Sequence, residues 1–144
     1  MRLRLEETYL YKLHLLTGQL DKLFDSSLRT GAGIGLSHFL VLLAVRQHGA
    51  VSSKDVADFL AVSPPAVSRQ IEIAERKGWV SVRALNTDKR GHSIQLTQQG
   101  EAKLIKSLRV LEKRVFPVFS DSECHLDLMS HIDMLLTNVE ERGR

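Results

Sequence analysis

The sequence has few of the residues that mark secreted or membrane proteins. It holds one cysteine, three prolines and only 6% aromatic residues. A single thiol, Cys124, cannot close an intrachain disulfide, so an oxidising compartment is not indicated. Residues 1–7 lack the apolar stretch of a secretory signal, and no apolar run approaches the roughly 20 residues that a membrane span needs. These absences predict a cytoplasmic protein without a membrane partner.

Motifs for catalysis and for metal binding are also missing. The sequence contains no glycine-rich phosphate loop, no HExxH and no nucleophile elbow. Its six histidines are scattered, and His125 and His131 are six residues apart, a spacing that does not put them on one helical face. Cys124 has acidic neighbours, which oppose the thiolate that a redox sensor needs. The sequence therefore predicts no enzyme, no cofactor and no metal site.

Charge is distributed unevenly along a chain of ordinary globular composition. The 144 residues are 43% apolar and 26% charged, which suits one domain with a buried core. The net charge is only +3, but residues 69–90 carry six basic and three acidic side chains, whereas residues 101–144 carry seven basic and eight acidic ones. A basic middle segment weakly favours a polyanionic partner such as nucleic acid.

Two apolar helices are predicted before residue 50. Over residues 6–29, leucine and phenylalanine recur at spacings of three and four, which is the pattern of an amphipathic helix. Residues 30–35 contain three glycines, whose backbone entropy predicts a break in the helix there. Residues 36–48 are apolar on most sides, which predicts a second and largely buried helix.

The next stretch has the pattern of two short helices joined by a tight turn. Ser52 and Asp55 form a capping-box pattern, which predicts a helix that begins after Ser52. The connection, residues 61–63, ends in Ser63, which suits the N-cap of the second helix, and a proline follows at the first helical position. That helix is predicted to run to Lys77, before a glycine that ends it.

After the second short helix the apolar period changes from that of a helix to that of a strand. Residues 79–84 and 92–96 alternate in polarity, and the polar residues 86–91 between them predict a β-hairpin with a basic tip. Thr97 is predicted to cap a further helix over residues 98–116. A capping-box pattern at Ser120-Asp121-Ser122-Glu123 then opens a last helix, whose apolar stripe is formed by Leu128, Ile132, Leu135 and Val139.

This order of elements predicts a winged helix-turn-helix within a mainly α fold that carries a small β-hairpin wing. The first short helix, with its small Ala57, is expected to pack against Val62, Val67 and Ile71. The second would then lie in the major groove of DNA, and the basic hairpin tip would reach an adjacent groove or the phosphate backbone. The candidate DNA-binding residues are Ser63, Pro65, Ser68, Arg69, Glu72, Lys89 and Arg90.

This part of the chain resembles the MarR family of bacterial regulators, over about residues 36–103. The matching motifs are Val56-Ala57-Asp58-Phe59-Leu60-Ala61-Val62-Ser63, Val67-Ser68-Arg69, Glu75-Arg76-Lys77-Gly78-Trp79-Val80, Asp88-Lys89-Arg90 and Leu96-Thr97-Gln98-Gln99-Gly100. The Asp-x-Arg of the wing together with the Leu-Thr-x-x-Gly that follows it is the most specific part. Two positions depart from the family pattern, since Ala61 stands where glycine is common and Gln70 where an apolar residue is common. Gln70 leaves open which face of the second short helix meets DNA.

The resemblance implies a homodimeric repressor that binds a pseudo-palindromic operator in double-stranded DNA. It also implies that Arg90 enters the minor groove and that Asp88 braces the wing by pairing with a basic neighbour. Release of the DNA by a small ligand, often aromatic or phenolic, is implied as well. The residues expected to line the ligand site are His14, His38 and Arg46.

By the same resemblance, one integrated domain has three parts. Residues 1–35 are an N-terminal dimerisation helix with a glycine-rich connection. Residues 36–100 are the winged helix-turn-helix DNA-binding region, and residues 101–144 are the C-terminal dimerisation helices.

Two other interpretations are open at the level of sequence. A winged helix that serves as a protein-interaction module without DNA binding would show an apolar exposed face over residues 64–77, whereas that face is polar and holds Arg69. A helical enzyme with an accessory winged domain would need a set of titratable groups that the sequence does not show. Trp79 is expected in the core at the base of the wing rather than as a stacking platform.

Overall fold

The computed structural model describes residues 5–49, 51–84, 92–119 and 122–143, and shows a mainly helical chain with one antiparallel hairpin. This confirms the predicted fold class. The elements in chain order are α1 (Leu5–Ala32), α2 (Leu36–His48), α3 (Ser53–Leu60), α4 (Pro64–Arg76), β1 (Val80–Ala84), β2 (His92–Leu96), α5 (Gln98–Arg114), a 3₁₀ turn (Phe116–Phe119) and α6 (Ser122–Arg142).

The helix α1 is longer than its glycine content predicted. Residues 30–32 stay helical, so the expected break at residue 30 is wrong. A Cβ on Gly31 would lie 2.6 Å from a methyl carbon of Val110, so the missing side chain lets α1 and α5 pack closely. This packing offsets the backbone entropy of a helical glycine. The chain turns at Gly33 instead, whose φ of +67° is in the left-handed region.

The capping box at the start of α3 is confirmed. The backbone N–H of Ser52 donates to Asp55 Oδ2 at 2.9 Å, and the backbone N–H of Asp55 donates to Ser52 Oγ at 3.1 Å. The helix closes at Ala61, whose φ of +51° is left-handed. A Cβ makes this conformation strained, which explains why glycine is common here in the family pattern.

The helix α4 begins and ends close to its predicted bounds. Pro64 is its first residue, and Ser63 occupies the N-cap position with extended backbone angles. Ser63 makes no side-chain capping bond, so its hydroxyl does not act as the cap that the sequence suggested. At the other end Lys77 is the C-cap, and Gly78, with φ of +72°, turns the chain into β1.

The hairpin pairs β1 with β2 in the register Val80 with Leu96 through Ala84 with His92. A third extended segment, which the sequence did not predict, joins it at Val51. The Val51 N–H donates to Ile94 O at 3.3 Å, and the Ile94 N–H donates to Val51 O at 2.7 Å. This bridge ties the start of the helix-turn-helix to the middle of β2. The predicted basic tip, residues 86–91, lies outside the described residues.

The core is formed by side chains from α1 to β2 together with the inner face of α5. Trp79 is 5% exposed, which confirms its predicted place in the core. Val62 was expected to pack in the core as well, but it is 47% exposed and that expectation is wrong. Its position after the left-handed Ala61 places it on the surface of the turn. The fully buried large side chains include Leu28, Val41, Leu42, Val56, Val67, Ile94, Leu104 and Val115.

The hairpin runs directly into α5 through a tight joint. Thr97 Oγ1 donates to Gly78 O at 2.5 Å and accepts the backbone N–H of Gly100 at 3.0 Å, which caps α5 as predicted. A Cβ on Gly100 would lie only 1.9 Å from Trp79 O. Only glycine therefore allows the first turn of α5 to lie against the start of the hairpin. The helix ends at Arg114, two residues before its predicted end at 116.

Many large apolar side chains are exposed on the first half of α1 and on α6. On the first half of α1 they are Tyr9, Leu10, Tyr11, Leu13, Leu15 and Leu16. On α6 they are Leu128, Met129, Ile132, Met134, Leu135, Leu136 and Val139. The helix α6 was predicted with its stripe, while the capping box proposed for it includes residues 120 and 121, which lie outside the described ranges.

Within the described ranges, no single helix has both the length and the apolar character to cross a bilayer. The segments Thr8–Ala32 and Leu36–His48 meet the length and composition together, but they are bent by 85° at the break between them. The second of these is largely buried in the core.

Candidate nucleic-acid interface

The helix α4 presents one polar face to solvent. Its inner side is fixed by the buried Val67, Ile71 and Ala74. Because a helix repeats about every 3.6 residues, this inner face leaves positions 65, 68, 69, 72 and 76 on the opposite side. The structure places the predicted Pro65, Ser68, Arg69 and Glu72 together on this exposed face. We name it the α4 face and define it by Pro65, Ser68, Arg69, Glu72 and Arg76.

The α4 face is held out from the body by the helix α3 and the turn between them. Val56 and Ala57 of α3 are buried at 0% and 2% exposure, and they anchor α3 in the core. Val67 and Ile71 lie in the same core on the α4 side. The small Ala57 lets the two helices approach, as the sequence predicted. This packing fixes α4 against the core with its polar face turned outward.

Ser63 stands at the N-terminal end of α4, near the α4 face. Its hydroxyl makes no capping hydrogen bond, and the residue is exposed. Pro64 and Pro65, the first two helical residues, have no backbone N–H, and the Ala66 N–H donates to Ser63 O at 3.1 Å, so this helix start presents few free backbone donors. The exposed Ser63 hydroxyl is the polar group that remains at this end of α4.

The wing is described as far as its two strands. Arg83 on β1 is exposed next to the end of the described strand. Asp88, Lys89 and Arg90, which the sequence predicted as the wing brace and the DNA contacts of the tip, lie outside the described residues.

The three residues predicted to line a ligand site do not come together. His14 is exposed on the first half of α1. Arg46, at the end of α2, pairs with Glu101 of α5, with Nε 3.1 Å from the carboxylate oxygen. Arg46 and Glu101 line a polar cleft of about 300 Å³, together with Gln95 and Leu96. His38 lines a different cleft, between α1, α2 and α4.

His38 lies in a partly buried and basic environment. Its ring meets that of Trp79 edge to face, with centroids 6.1 Å apart and planes at 81°. Burial lowers the pKa of His38, and the nearby charges of Lys77 and Arg29 lower it further. Its Nε2 atom is buried and has no hydrogen-bond partner among the described residues. The neutral ring is therefore the favoured form, and it keeps an unfilled hydrogen-bonding position.

A carboxylate from α1, which the sequence analysis missed, holds the start of α2. Asp25 Oδ1 accepts the backbone N–H of Leu36 at 2.8 Å, and its other oxygen lies 2.6 Å from Arg29 Nε. The bond from Arg29 lowers the pKa of Asp25, and the bond from Leu36 lowers it further. Gly35, the N-cap of α2, has no side chain to satisfy this N–H itself. The spacing of Asp25 and Arg29 predicts a helical ion pair, but not a cap across eleven residues.

The arrangement defines a class of protein. A buried first helix, two short helices with a polar outer face on the second, and a hairpin that follows them directly are the parts of a winged helix-turn-helix. The bridge at Val51 adds the short third extended segment beside the hairpin.

The chain belongs to the MarR family of transcriptional regulators. A family model described as MarR family matches residues 32–91. The chain is 32% identical over 95 residues to the uncharacterized HTH-type transcriptional regulator YwoH of Bacillus subtilis (strain 168). The matched segment covers 63% of this chain and 68% of that protein. The family and the fold are those of transcriptional regulators rather than of enzymes.

Solved structures share the fold over nearly the whole chain. The transcriptional regulator BldR from Sulfolobus solfataricus superposes with a TM-score of 0.84 at 20% identity, covering 95% of this chain and 99% of that one. A variant of MarR from E. coli in complex with operator DNA superposes with a TM-score of 0.76 at 23% identity, covering 96% of this chain and 99% of that one. These likenesses establish the fold.

Proposed function

We propose that this chain is a homodimeric, sequence-specific DNA-binding repressor of transcription that recognises a pseudo-palindromic operator. The observation that carries the proposal is the α4 face, which is polar, exposed and fixed from behind by buried side chains. Membership of a family of transcriptional regulators supports it, as does the likeness in fold to a regulator crystallised with operator DNA.

Arg69 is the residue of the α4 face best suited to read a base. A guanidinium donates two parallel hydrogen bonds to the edge of a guanine in the major groove. In the structure Arg69 is exposed, with no ion pair among the described residues, so its donors are free for such a contact. Ser68 and Pro65 lie beside it, and the exposed hydroxyl of Ser63 at the helix start would donate a hydrogen bond to a phosphate oxygen. Glu72 would accept a hydrogen bond from a cytosine amino group.

The wing is proposed to make the second contact. Lys89 and Arg90 would meet the backbone or a narrow minor groove, which attracts arginine, and Asp88 would brace the wing by pairing with a basic neighbour. The described hairpin strands begin next to Trp79 in the core, so the described part of the wing is anchored in the same core as α4.

A second copy of the chain is proposed to cover the exposed apolar faces of α1 and α6. Large exposed apolar patches on a soluble regulator mark interaction surfaces. With twofold symmetry the two copies of α4 would lie about one turn of DNA apart, near 34–36 Å. The operator is then an inverted repeat with half-site centres about 10 base pairs apart.

A small aromatic or phenolic ligand is proposed to release the DNA, and the protein is proposed to work in the cytoplasm, where transcription takes place in bacteria. His38 is the predicted ligand residue that lies in a cleft between α1 and the helix-turn-helix. The interpretation as a protein-interaction module without DNA binding finds no support in α4, whose exposed residues are mostly polar or charged.

The test compares two exposed arginines, Arg69 on α4 and Arg109 on α5. Arg69→Ala is expected to weaken binding to the selected operator by about 1–3 kcal/mol and to relax the preference at one base position. Arg109→Ala on α5, also exposed, is the matched control and is expected to bind as wild type does. The measurement selects bound fragments from genomic DNA at a stated salt concentration and then titrates each variant on cognate and scrambled duplexes.

The same titrations test the wing. Arg90→Ala is expected to weaken both duplexes more evenly and to reduce the slope of log K against log salt by about one unit. If Arg69→Ala and Arg90→Ala both bind like wild type while melting normally, this surface does not face DNA. A footprint without dyad symmetry would contradict the inverted-repeat operator.

A further inference from the structure

The helices α1 and α2 meet at a sharp corner. Their axes are bent by 85° at the break between Ala32 and Leu36. We call residues 33–35 the α1–α2 corner. Two of these three residues are glycines, and Gly33 has a φ of +67°, in the left-handed region. A turn rich in glycine does not fix its own angle, so contacts from other segments determine the angle of this corner.

The helix α2 begins without a cap of its own. Gly35 occupies the N-cap position and has no side chain, and the first turn of α2 contains no acidic residue. The structure instead brings in Asp25 from α1, whose Oδ1 accepts the backbone N–H of Leu36 at 2.8 Å. The carboxylate supplies both the acceptor and the negative charge that the start of a helix favours. The two helices are thus joined by a hydrogen bond across their corner.

The carboxylate of Asp25 is held on its other side as well. Its Oδ2 accepts a hydrogen bond from Arg29 Nε at 2.6 Å, one turn further along α1. Gly35 leaves room for both groups, since a Cβ there would lie 3.4 Å from Asp25 Oδ1 and 2.9 Å from Arg29 Nη2. The bond from Arg29, and then that from Leu36, lowers the pKa of Asp25. The carboxylate therefore stays ionised at neutral pH and keeps its charge at the start of α2.

A second charged side chain holds the other end of the corner. Lys103 Nζ of α5 donates to the backbone oxygen of Ala32 at 3.0 Å, at the C-terminal end of α1, where a cation is favoured. The end of α1 is thereby tied to α5, and the start of α2 is tied to α1 by Asp25. Each helix end at the corner is satisfied by a side chain of the opposite charge to its own partial charge.

The orientation of α2 determines where the α4 face points. Val41, Leu42 and Val45 of α2 lie in one core with Val67 and Ile71 of α4. A change in the angle between α1 and α2 therefore moves the α4 face relative to α1. The first half of α1 belongs to the surface that a second copy is proposed to cover, so the corner connects that surface to the α4 face.

We propose that Asp25 is a positioning residue, which fixes the α1–α2 corner and thereby the separation of the two α4 faces in the dimer. The inference rests on the homodimeric DNA binding proposed above. One added base pair moves two half-sites apart by about 3.4 Å, so a rigid corner discriminates between neighbouring spacings and a loose one tolerates them. Asp25 acts through Leu36 and α2 and does not itself contact DNA.

A series of operators with different half-site spacings tests the proposal. The half-site of the selected operator is placed in inverted repeats whose centres are about 9 to 12 base pairs apart, and wild type and Asp25→Ala are titrated on each. Wild type is expected to prefer one spacing. In Asp25→Ala the ratio of affinities between the best and the next spacing is expected to fall about threefold, since one hydrogen bond to a charged group is lost. A merely destabilised chain would lose the same factor at every spacing.

Three further variants identify the group that matters. Asp25→Asn keeps an oxygen that accepts the Leu36 N–H and is expected to retain the spacing preference, as a rescue. Asp21→Ala, an exposed carboxylate one turn earlier on α1, is the matched control and is expected to behave as wild type does. Asp25→Glu keeps the charge but alters the reach of the carboxylate. It is expected to lower the ratio as well, and it replaces Asp25→Ala should circular dichroism show that Asp25→Ala fails to fold.

Hydrogen exchange of the Leu36 amide, measured by NMR without DNA, is the second readout. Asp25→Ala is expected to speed this exchange about tenfold or more, while Asp21→Ala leaves it unchanged. A wild-type chain that binds no inverted repeat at any spacing would contradict the proposed function. A wild-type chain with a preferred spacing that Asp25→Ala fully retains, or a Leu36 amide that exchanges equally in both, would overturn the role of Asp25 alone.

Discussion

Apolar side chains of similar kind are buried in the winged-helix region but exposed on the first half of α1 and on α6. In the former, Leu42 and Ile94 are both fully buried. In the latter, Leu10 and Val139 are 75% and 69% exposed. The side chains are of one kind, but the middle of the chain folds them against each other, whereas the first half of α1 and the described part of α6 leave many of theirs exposed. A periodic stripe thus reports that a face prefers burial, while the three-dimensional packing decides whether the same chain can cover it.

The difference also implies two sources of stability. The winged-helix region closes on its own core, so its stability belongs to a single chain. In the proposed dimer, the exposed faces of α1 and α6 would gain stability from association, so that part of the stability would depend on protein concentration. Four variants, from the largest expected effect to the smallest, test this separation.

The largest effect is expected at the joint between the hairpin and α5. Gly100→Val places a Cβ 1.9 Å from the backbone oxygen of Trp79, and backbone cannot move aside as a flexible side chain would. We expect a loss of about 4 kcal/mol or more in the free energy of unfolding. Gln98→Val, at an exposed position in the same turn, is the control and is expected to change little. Urea denaturation followed by circular dichroism measures both, and equal curves would show that this joint is not rigid.

The next effect is expected on α6, and on assembly rather than on folding of the core. Leu135 is 51% exposed in the single chain, and its burial by a second copy would contribute apolar free energy twice by symmetry. Leu135→Lys is expected to weaken the dimer by about 3 kcal/mol, whereas Asn138→Lys, also exposed on α6, is expected to leave it nearly unchanged. Sedimentation equilibrium gives both dissociation constants. A wild-type chain that sediments as a monomer at micromolar concentration would end the comparison drawn above.

A smaller effect of opposite sign is expected inside the winged-helix region. The Oε1 atom of Gln70 on α4 is buried and has no hydrogen-bond partner among the described residues. Gln70→Leu removes this unpaired group and is expected to raise the free energy of unfolding by about 1 kcal/mol. The exposed Gln98→Leu serves as the control for added apolar area. A lower free energy of unfolding in Gln70→Leu would contradict this, because it would show that the Gln70 amide makes a stabilising hydrogen bond in the folded chain.

The smallest effect is expected from pH. Burial holds the pKa of His38 below its ordinary value of about 6.5, so the unfolded chain binds this proton more readily than the folded one. The stabilisation from neutral His38 is therefore present above about pH 6.5 and is lost as the pH falls toward the lowered folded pKa. His38→Gln removes this contribution and is expected to flatten the pH dependence of unfolding just below pH 6.5. A wild-type minus variant difference that stays constant from pH 5 to 7.5 would contradict it.

Local patterns predicted the elements well where the cause was itself local. The capping box at Ser52, the proline at the start of α4 and the period of two in β1 act within a few residues, so the sequence displays them directly. The exposed α4 face follows from the same helical periodicity, which is why Arg69 and its neighbours emerge together on it.

Several of the failures share a different cause, which is contact between distant segments. Gly31 stays helical because α5 packs over it, and Val51 pairs with β2 although it is one apolar residue in a polar stretch. The cleft between α1, α2 and the end of α4 brings together Arg29, His38 and Lys77, and no spacing in the sequence links them. Asp25 caps a helix that begins eleven residues later. Each of these contacts depends on the packing of distant segments, which sequence periodicity alone does not specify.

The joint at Thr97 and Gly100 fixes the N-terminal end of α5 to the hairpin. The helix has 17 residues, so its C-terminal end lies about 25 Å from this joint. A tilt of α5 by about 5° at the joint would displace the C-terminal end by about 2 Å. In the proposed dimer the two copies of α5 would move in opposite directions, so a small rotation at either joint would change the separation of the two winged-helix regions. Because the pitch of bound DNA would set that separation, the stiffness of this joint would determine how much strain the proposed complex stores when operator spacing departs from the relaxed value.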